Sequence, residues 1–153
     1  MEENKISPCM IYIDKEGNWF HKGIEMINRG IVNEFYRSLT TDSNGEYLIV
    51  MGNEQCLVEV EDTPFIITRV EFDGTEGAME GQIELCLIDD TKESLDPDTL
   101  SVGDDNVLYC RIKNNTFKAR FSRAAYYQLA SRIKEEGDKF YLPLKNKKYF
   151  IET

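Results

Sequence analysis

The sequence holds a single histidine, His21, and a single tryptophan, Trp19. One histidine leaves little scope for metal or nucleophilic chemistry. The four cysteines, Cys9, Cys56, Cys86 and Cys110, include no C-x-x-C pair, so the ligand spacing of a zinc site is missing. A Cys–His dyad would have to use His21, and nothing ties that residue to a thiol. No G-x-S-x-G, H-E-x-x-H, Walker loop or dinucleotide fingerprint is present. No catalytic residue, metal or cofactor is therefore expected. No apolar run approaches the 18 residues of a transmembrane helix, so no membrane span is expected. The opening MEENKISPCMIY lacks the basic and apolar regions of a signal peptide. Cytoplasmic location, with buried free thiols, follows as the expectation.

What is present fits a globular α+β protein of one domain or two small ones. The chain has 153 residues, 41% hydrophobic and 30% charged. A chain of this size buries roughly 70% of its unfolded surface and can fold without metals or disulfides. The net charge is −10, unevenly spread. From Val107 to Ile151 there are 11 Lys and Arg against 3 Asp and Glu, a local charge of +8, so the remainder carries −18. Parts of opposite sign attract. Either they neutralise each other where they pack, or a cleft between them presents cations to an anion.

An internal repeat organises the chain. RGIVNEFYRSLTTDSNGEYLIVMGNEQCLVEV, from Arg29, parallels RAAYYQLASRIKEEGDKFYLPLKNKKYFIE, from Arg123. Ile31, Val32, Phe35, Tyr36 and Leu39 follow a helical period, as do Tyr126, Leu129, Ala130 and Ile133. Asn44-Gly45 and Gly137 are the expected helix stops. Two strands then follow in each copy, EYLIVM with CLVEVE and KFYLPL with YFIET. Hairpins precede both helices, IYIDKEGNWFHK and LYCRIKNNTFKARFS. The expected unit is strand–strand–helix–strand–strand, present twice with antiparallel sheets, over residues 1–72 and 73–153. Between the copies PFIITRVEF and GQIELCLID read as strands joined by a turn at Asp73-Gly74. Residues 89–106, DDTKESLDPDTLSVGDDN, read as a polar surface loop. Their aspartates do not follow the order of a calcium loop.

The runs WFHKGIEMINRGIVNEF, GEYLIV and VEVEDTPF resemble the bacterial domain of unknown function 1285 family. Its pattern is a W-Y/F-H-x-G hairpin, an I-x-R helix start, a D-G-x-Y-x-L strand and a V-E-D-x-P-F segment. FKARFSRAAYYQLA is similar to that family's apolar-Ala-Arg hairpin and Tyr-bearing helix. The chain departs at GNEQ, Gly52 to Gln55, where the family has a T-P-x-E-K-like turn. The resemblance implies two repeated α+β halves, the second loosely like a pleckstrin-homology barrel. It further implies a site in the crevice between them, for a nucleotide-like ligand in signalling. It implies no activity.

Several residues are candidates for such a site. Strand alternation sets Glu59 and Glu61 on one face and Val58 and Val60 on the other. Glu61 could meet Arg120 or Arg123 in a bidentate pair, and Asp62 could cap the turn at Pro64 or frame a ligand. Trp19 and His21 share a strand face. They could stack a base and touch a phosphate, or plug the core edge. Arg29 and Arg123 lie at helix starts, where anions are attracted. Of the adjacent Tyr126 and Tyr127, one belongs to the core and Tyr127 could reach a ligand. Lysines at 145, 147 and 148 form a hairpin tip, and the acidic whole argues against nucleic acid. The reading is a non-catalytic cytosolic binding or signalling protein for a small anionic, nucleotide-like ligand. A protein-interaction module without a small-molecule ligand is the alternative, and a hydrolase without a recognisable motif is the third.

Overall fold

The structure, a computed structural model, describes residues 6–72 and 81–153. The opening residues 1–5 and the turn expected at Asp73-Gly74 lie outside the described residues. The chain divides into two units, Met1–Pro64 and Phe65–Thr153.

In the first unit, three strands precede a helix and three follow it. They are β1 (Pro8–Ile13), β2 (Trp19–His21), β3 (Ile24–Glu25), α1 (Arg29–Ser38), β4 (Leu39–Thr41), β5 (Tyr47–Met51) and β6 (Glu54–Val60). The β1–β2 turn is held by Asp14, whose carboxylate accepts the amides of Glu16 and Asn18 at 2.9 Å. Asp42 does the same for Asn44 and Glu46 between β4 and β5. Both are Asx turns, in which a short carboxylate satisfies amides that the bend would orphan. The sheet order is β3-β2-β1-β6-β5-β4. Neighbours within each three-stranded meander run antiparallel, whereas β1 and β6 at the centre run parallel. Alternation buries Ile11, Ile13 and Val58 together with Trp19.

Asn28 starts α1 by accepting the Ile31 amide on its side chain at 3.1 Å. The helix then covers the sheet with Val32 and Tyr36. It stops at Ser38, before the expected Asn44-Gly45, because Leu39–Thr41 pair with β5. Thr40 and Thr41 are β-branched and favour that choice. The Tyr36 hydroxyl donates to the buried Pro64 carbonyl at 2.8 Å. Tyr36→Phe leaves that acceptor without this donor, so denaturant unfolding should show a loss of about 1–3 kcal/mol.

The second unit contains β7 (Phe65–Phe72), β8 (Ile83–Leu87), β9 (Lys92–Ser94), β10 (Ser101–Val102), β11 (Leu108–Ile112) and β12 (Phe117–Phe121). These are followed by α2 (Arg123–Ala130), β13 (Lys134–Glu136), β14 (Lys139–Leu144) and β15 (Lys147–Phe150). The first six form a sheet in the order β10-β11-β12-β7-β8-β9, and the last three a separate sheet. Again the central pair, β7 with β12, is parallel. Residues 65–72, expected at the end of the first half, are therefore hydrogen-bonded into the second sheet. Ser122 caps α2 by accepting the Ala125 amide at 3.1 Å, and the Gln128 side chain accepts the Val70 amide at 2.7 Å.

The two similar halves are present, with a difference of register. Each six-stranded sheet consists of two meanders joined by a parallel pair, so β1–β6 match β7–β12 in topology. The hairpin–helix–hairpin pattern of the sequence occurs in both units, yet it aligns α1 with α2. In the sheet repeat, the place of α1 between meanders is taken by a 3-10 turn, Pro97–Thr99. The antiparallel sheets expected from hairpin signals thus each contain one parallel pair, which no turn signal announces.

Residues 89–106 are not the simple surface loop that was expected. They contain β9 and β10, and Leu95 and Leu100 are buried. Their aspartates serve local structure: Asp96 caps the 3-10 turn, and the buried Asp89 faces the Lys113 ammonium at 3.2 Å.

The expectation of four free thiols is corrected as well. Cys9 and Cys56 form a disulfide, with Cα atoms 4.9 Å apart. Cys86 and Cys110 are free and buried. The parallel pairing of β1 with β6 brings residues 47 apart side by side. Its signal is in the sequence: CMIYI and CLVEV share one phase, and Ile11 and Ile13 pair with Val58 and Val60. The pairing is regular from Ile11 to Ile13 and shifts between Pro8 and Ile11, and Cys9 lies in that irregular stretch when it meets Cys56.

Candidate functional site

The first unit contains a cavity of about 280 Å³. This is near the lower end of small-molecule sites, roughly 300–1,000 Å³. Its apolar walls come from Ile11 on β1, Met26 before α1, Phe35 on α1, and Ile49 and Met51 on β5. Cys9 and Cys56 also line it, so the disulfide forms part of the wall. Three polar residues complete the lining: His21 on β2 and Glu54 and Gln55 on β6, of which alternation turns the Glu54 side chain to the face of Cys56 and Met51. None of these lining residues is Lys or Arg. A second cavity of about 340 Å³ runs along β6 and includes Glu46 and Glu59. Both lack the cationic walls that a phosphate-bearing ligand calls for.

The sequence candidates are distributed over the two units. In the first, Trp19 is 1% exposed. Its ring stacks on Phe35 at 6.1 Å and meets Tyr36 edge-on at 4.8 Å. Trp19 is a core residue and offers no face to a ligand, which corrects its reading as a stacking platform. His21 does share its sheet face, and it is exposed at the cavity. One strand face is thus core at Trp19 and open at His21. Arg29 is the first residue of α1, with Asn28 as the cap. In the second unit, Arg123 holds the same position in α2, Arg120 is half-buried on β12, and Tyr127 is 60% exposed.

Glu61 and Asp62 are exposed beyond the end of β6. The Glu61 carboxylate accepts the Lys15 amide at 2.9 Å and also bonds the Tyr12 side chain. Its position beside β1 follows from the same parallel pairing. Desolvation first, then the bond to Glu61 and the charges of Glu61, Asp14 and Glu59, hold the Tyr12 phenol above its ordinary value near 10. A raised phenol stabilises the fold below its unfolded pKa, and the contribution is lost as pH rises through the folded value. Following the Tyr12 ring carbons by NMR should show ionisation above the free-tyrosine range, moved downward by Glu61→Gln.

Of the cavity residues, sequence reasoning singled out only His21. Phe35 and Ile11 follow core periodicity, and periodicity alone does not distinguish a core position from a cavity wall. Among the described residues, no cluster of three or more His, Cys, Asp or Glu could hold a metal ion. No helix among them is long and apolar enough to cross a membrane.

No family model matches the chain, and no curated protein matches it. Two solved bacterial structures do. A DUF1285 family protein from Silicibacter pomeroyi superposes with a TM-score of 0.80 at 17% identity, covering 95% of this chain and 80% of its own. A DUF1285 family protein from Shewanella baltica gives 0.64 at 20% identity, covering 80% of this chain and 91% of its own. The family expected from VEDTPF and its companion motifs is the family of both structures, and this chain has the DUF1285 fold.

Proposed function

We propose that the chain is a non-catalytic binding protein whose first unit takes a small, largely apolar ligand with one hydrogen-bonding end. The observation that supports this reading is the cavity beneath α1, with apolar walls and His21 and Glu54 at its polar side. Its volume suits a small compound rather than a polymer. The ligand's body displaces water from Ile11, Phe35 and Met51, and its polar end, a hydrogen-bond donor, is matched by the Glu54 carboxylate and the His21 imidazole. Binding that orders the α1 face would then serve as a signal in the cytoplasm.

A thermal-shift screen tests the proposal with two compound sets, indoles with medium-chain alcohols, and nucleotides. A native-state ligand at 100 times its Kd adds about 2.7 kcal/mol of stability. Met51→Trp fills the cavity from a half-exposed position and should abolish the shift for the apolar set. If the shift persists in that variant, the ligand binds elsewhere. A shift with nucleotides alone, lost in Arg123→Ala, returns the ligand to the basic segment and the anionic reading.

A second reading has its own support. Ile24, Ile27 and Ile31 are 73%, 81% and 50% exposed at the start of α1 and the strand before it. Exposed apolar side chains so close in sequence favour contact with a protein partner. Absence of any small-molecule shift, with partner capture lost in Ile27→Asp, would favour that reading.

A further inference from the structure

We propose that the Cys9–Cys56 disulfide is a thiol-exchange site, opened by a low-molecular-weight thiol that enters the cavity of the first unit. The inference concerns the regulation of the same cavity and rests on that cavity admitting small molecules.

Three observations support it. Both cysteines line the cavity and both are half-buried, so a small thiolate has a route to a sulfur. Cys86 and Cys110, by contrast, are 7% and 1% exposed, and burial raises the Cys110 thiol further from reactivity. The bridge also closes over an irregularity. The β1–β6 register shifts between Pro8 and Ile11, and Met10, next to Cys9, has φ 63°. A long side chain inside a strand adopts that left-handed backbone only when its surroundings hold it there.

The exchange balances as two steps. A thiolate RS⁻ attacks one sulfur of the bridge, an RS–S bond forms, the Cys9–Cys56 bond breaks, and the departing thiolate takes up a proton. A second thiol then attacks the mixed disulfide and leaves as RSSR. In total two RSH are oxidised and the bridge is reduced to two thiols. With the bond open, the Ser7 carbonyl on the Leu57 amide, at 2.8 Å, and the Met10 carbonyl on the Lys22 amide, at 2.9 Å, still hold the segment. Met10 is then free to leave its left-handed backbone, and the cavity wall changes with it. Such a bond is compatible with a cytoplasmic setting, where disulfides are mostly transient and redox-responsive.

The test uses the full chain under native conditions with glutathione buffers, iodoacetamide quenching and peptide mass mapping. The expected result is a single glutathione adduct at Cys9 or Cys56, and labelling of these two at least about tenfold faster than Cys86 and Cys110. Trp19, the one tryptophan, is buried in the same unit, so its emission should stay unshifted while the bond opens. The methyl NMR signals of Met26 and Met51 should move. Resistance of the bridge until denaturant is added overturns the proposal. A red shift of Trp19 in step with labelling overturns it too, because the bond then opens only by unfolding. Unmoved methionine signals in the opened protein overturn the link to the cavity. None of these readings uses the unknown ligand, so they stand or fall apart from the outcome of the thermal-shift screen.

Discussion

Replacing Trp19 by Ala should cost the first unit about 3–5 kcal/mol, the range for deleting a large buried aromatic. The ring is 1% exposed and touches two aromatics of α1, so its loss leaves the helix over a void. Urea unfolding followed by circular dichroism measures the loss without needing the indole as a probe. Trp19→Phe should cost under half as much, because it keeps the aromatic contact. It also removes an indole N–H that has no hydrogen-bond partner among the described residues. If Trp19→Ala stays within about 1 kcal/mol of the parent, the core of the unit is not organised as described.

Reducing and alkylating the Cys9–Cys56 bridge should lower stability by about 4 kcal/mol. The bridge joins positions 47 residues apart, and closing a loop of that length removes chain entropy from the unfolded state. Cys9→Ser, Cys56→Ser and the double variant should all lose nearly the same amount, since each breaks one shared bond. The urea midpoints of the oxidised and reduced forms provide the measurement, with a steeper slope for the reduced form, whose open unfolded chain exposes more surface. Equal midpoints would remove the bridge from the folding of this unit. Additive losses in the double variant would mean that the two side chains act separately.

These two expectations also mark where sequence reasoning reached and where it stopped. Both helix starts were legible at Arg29 and Arg123, because an apolar period follows each, and the structure adds the caps Asn28 and Ser122. The strands around EYLIVM, CLVEV and KFYLPL were legible for the same local reason. The run VEVEDTPF resolves into three environments. Val58 is core, Glu59 and Glu61 face solvent with Glu61 latched to the β1 turn, and Thr63 and Pro64 are buried at the entry to β7. The bridge and the parallel centre were not read because they depend on pairing between β1 and β6, far apart in sequence. Helix α1 ended early because pairing of Thr40 and Thr41 overrode the stop signal at Asn44-Gly45. Leu95 and Leu100 escaped notice because two apolar residues in a polar stretch form no period. The cavity went unread for a deeper reason. Walls and core have the same composition, and only the coordinates tell a filled space from an empty one.

The parallel centre of the first sheet has a mechanical consequence. Its first strand and its last lie side by side and point the same way, so the chain enters β1 and leaves β6 at opposite ends of that central pair. Tension between those ends loads the β1–β6 hydrogen bonds in shear, all at once, rather than unzipping them one by one. While the bridge is closed, force entering at Cys9 passes straight to Cys56, and the chain between them cannot lengthen. Only an opened bridge lets the unit stretch, so the sulfur bond would act as the lock on its extensibility.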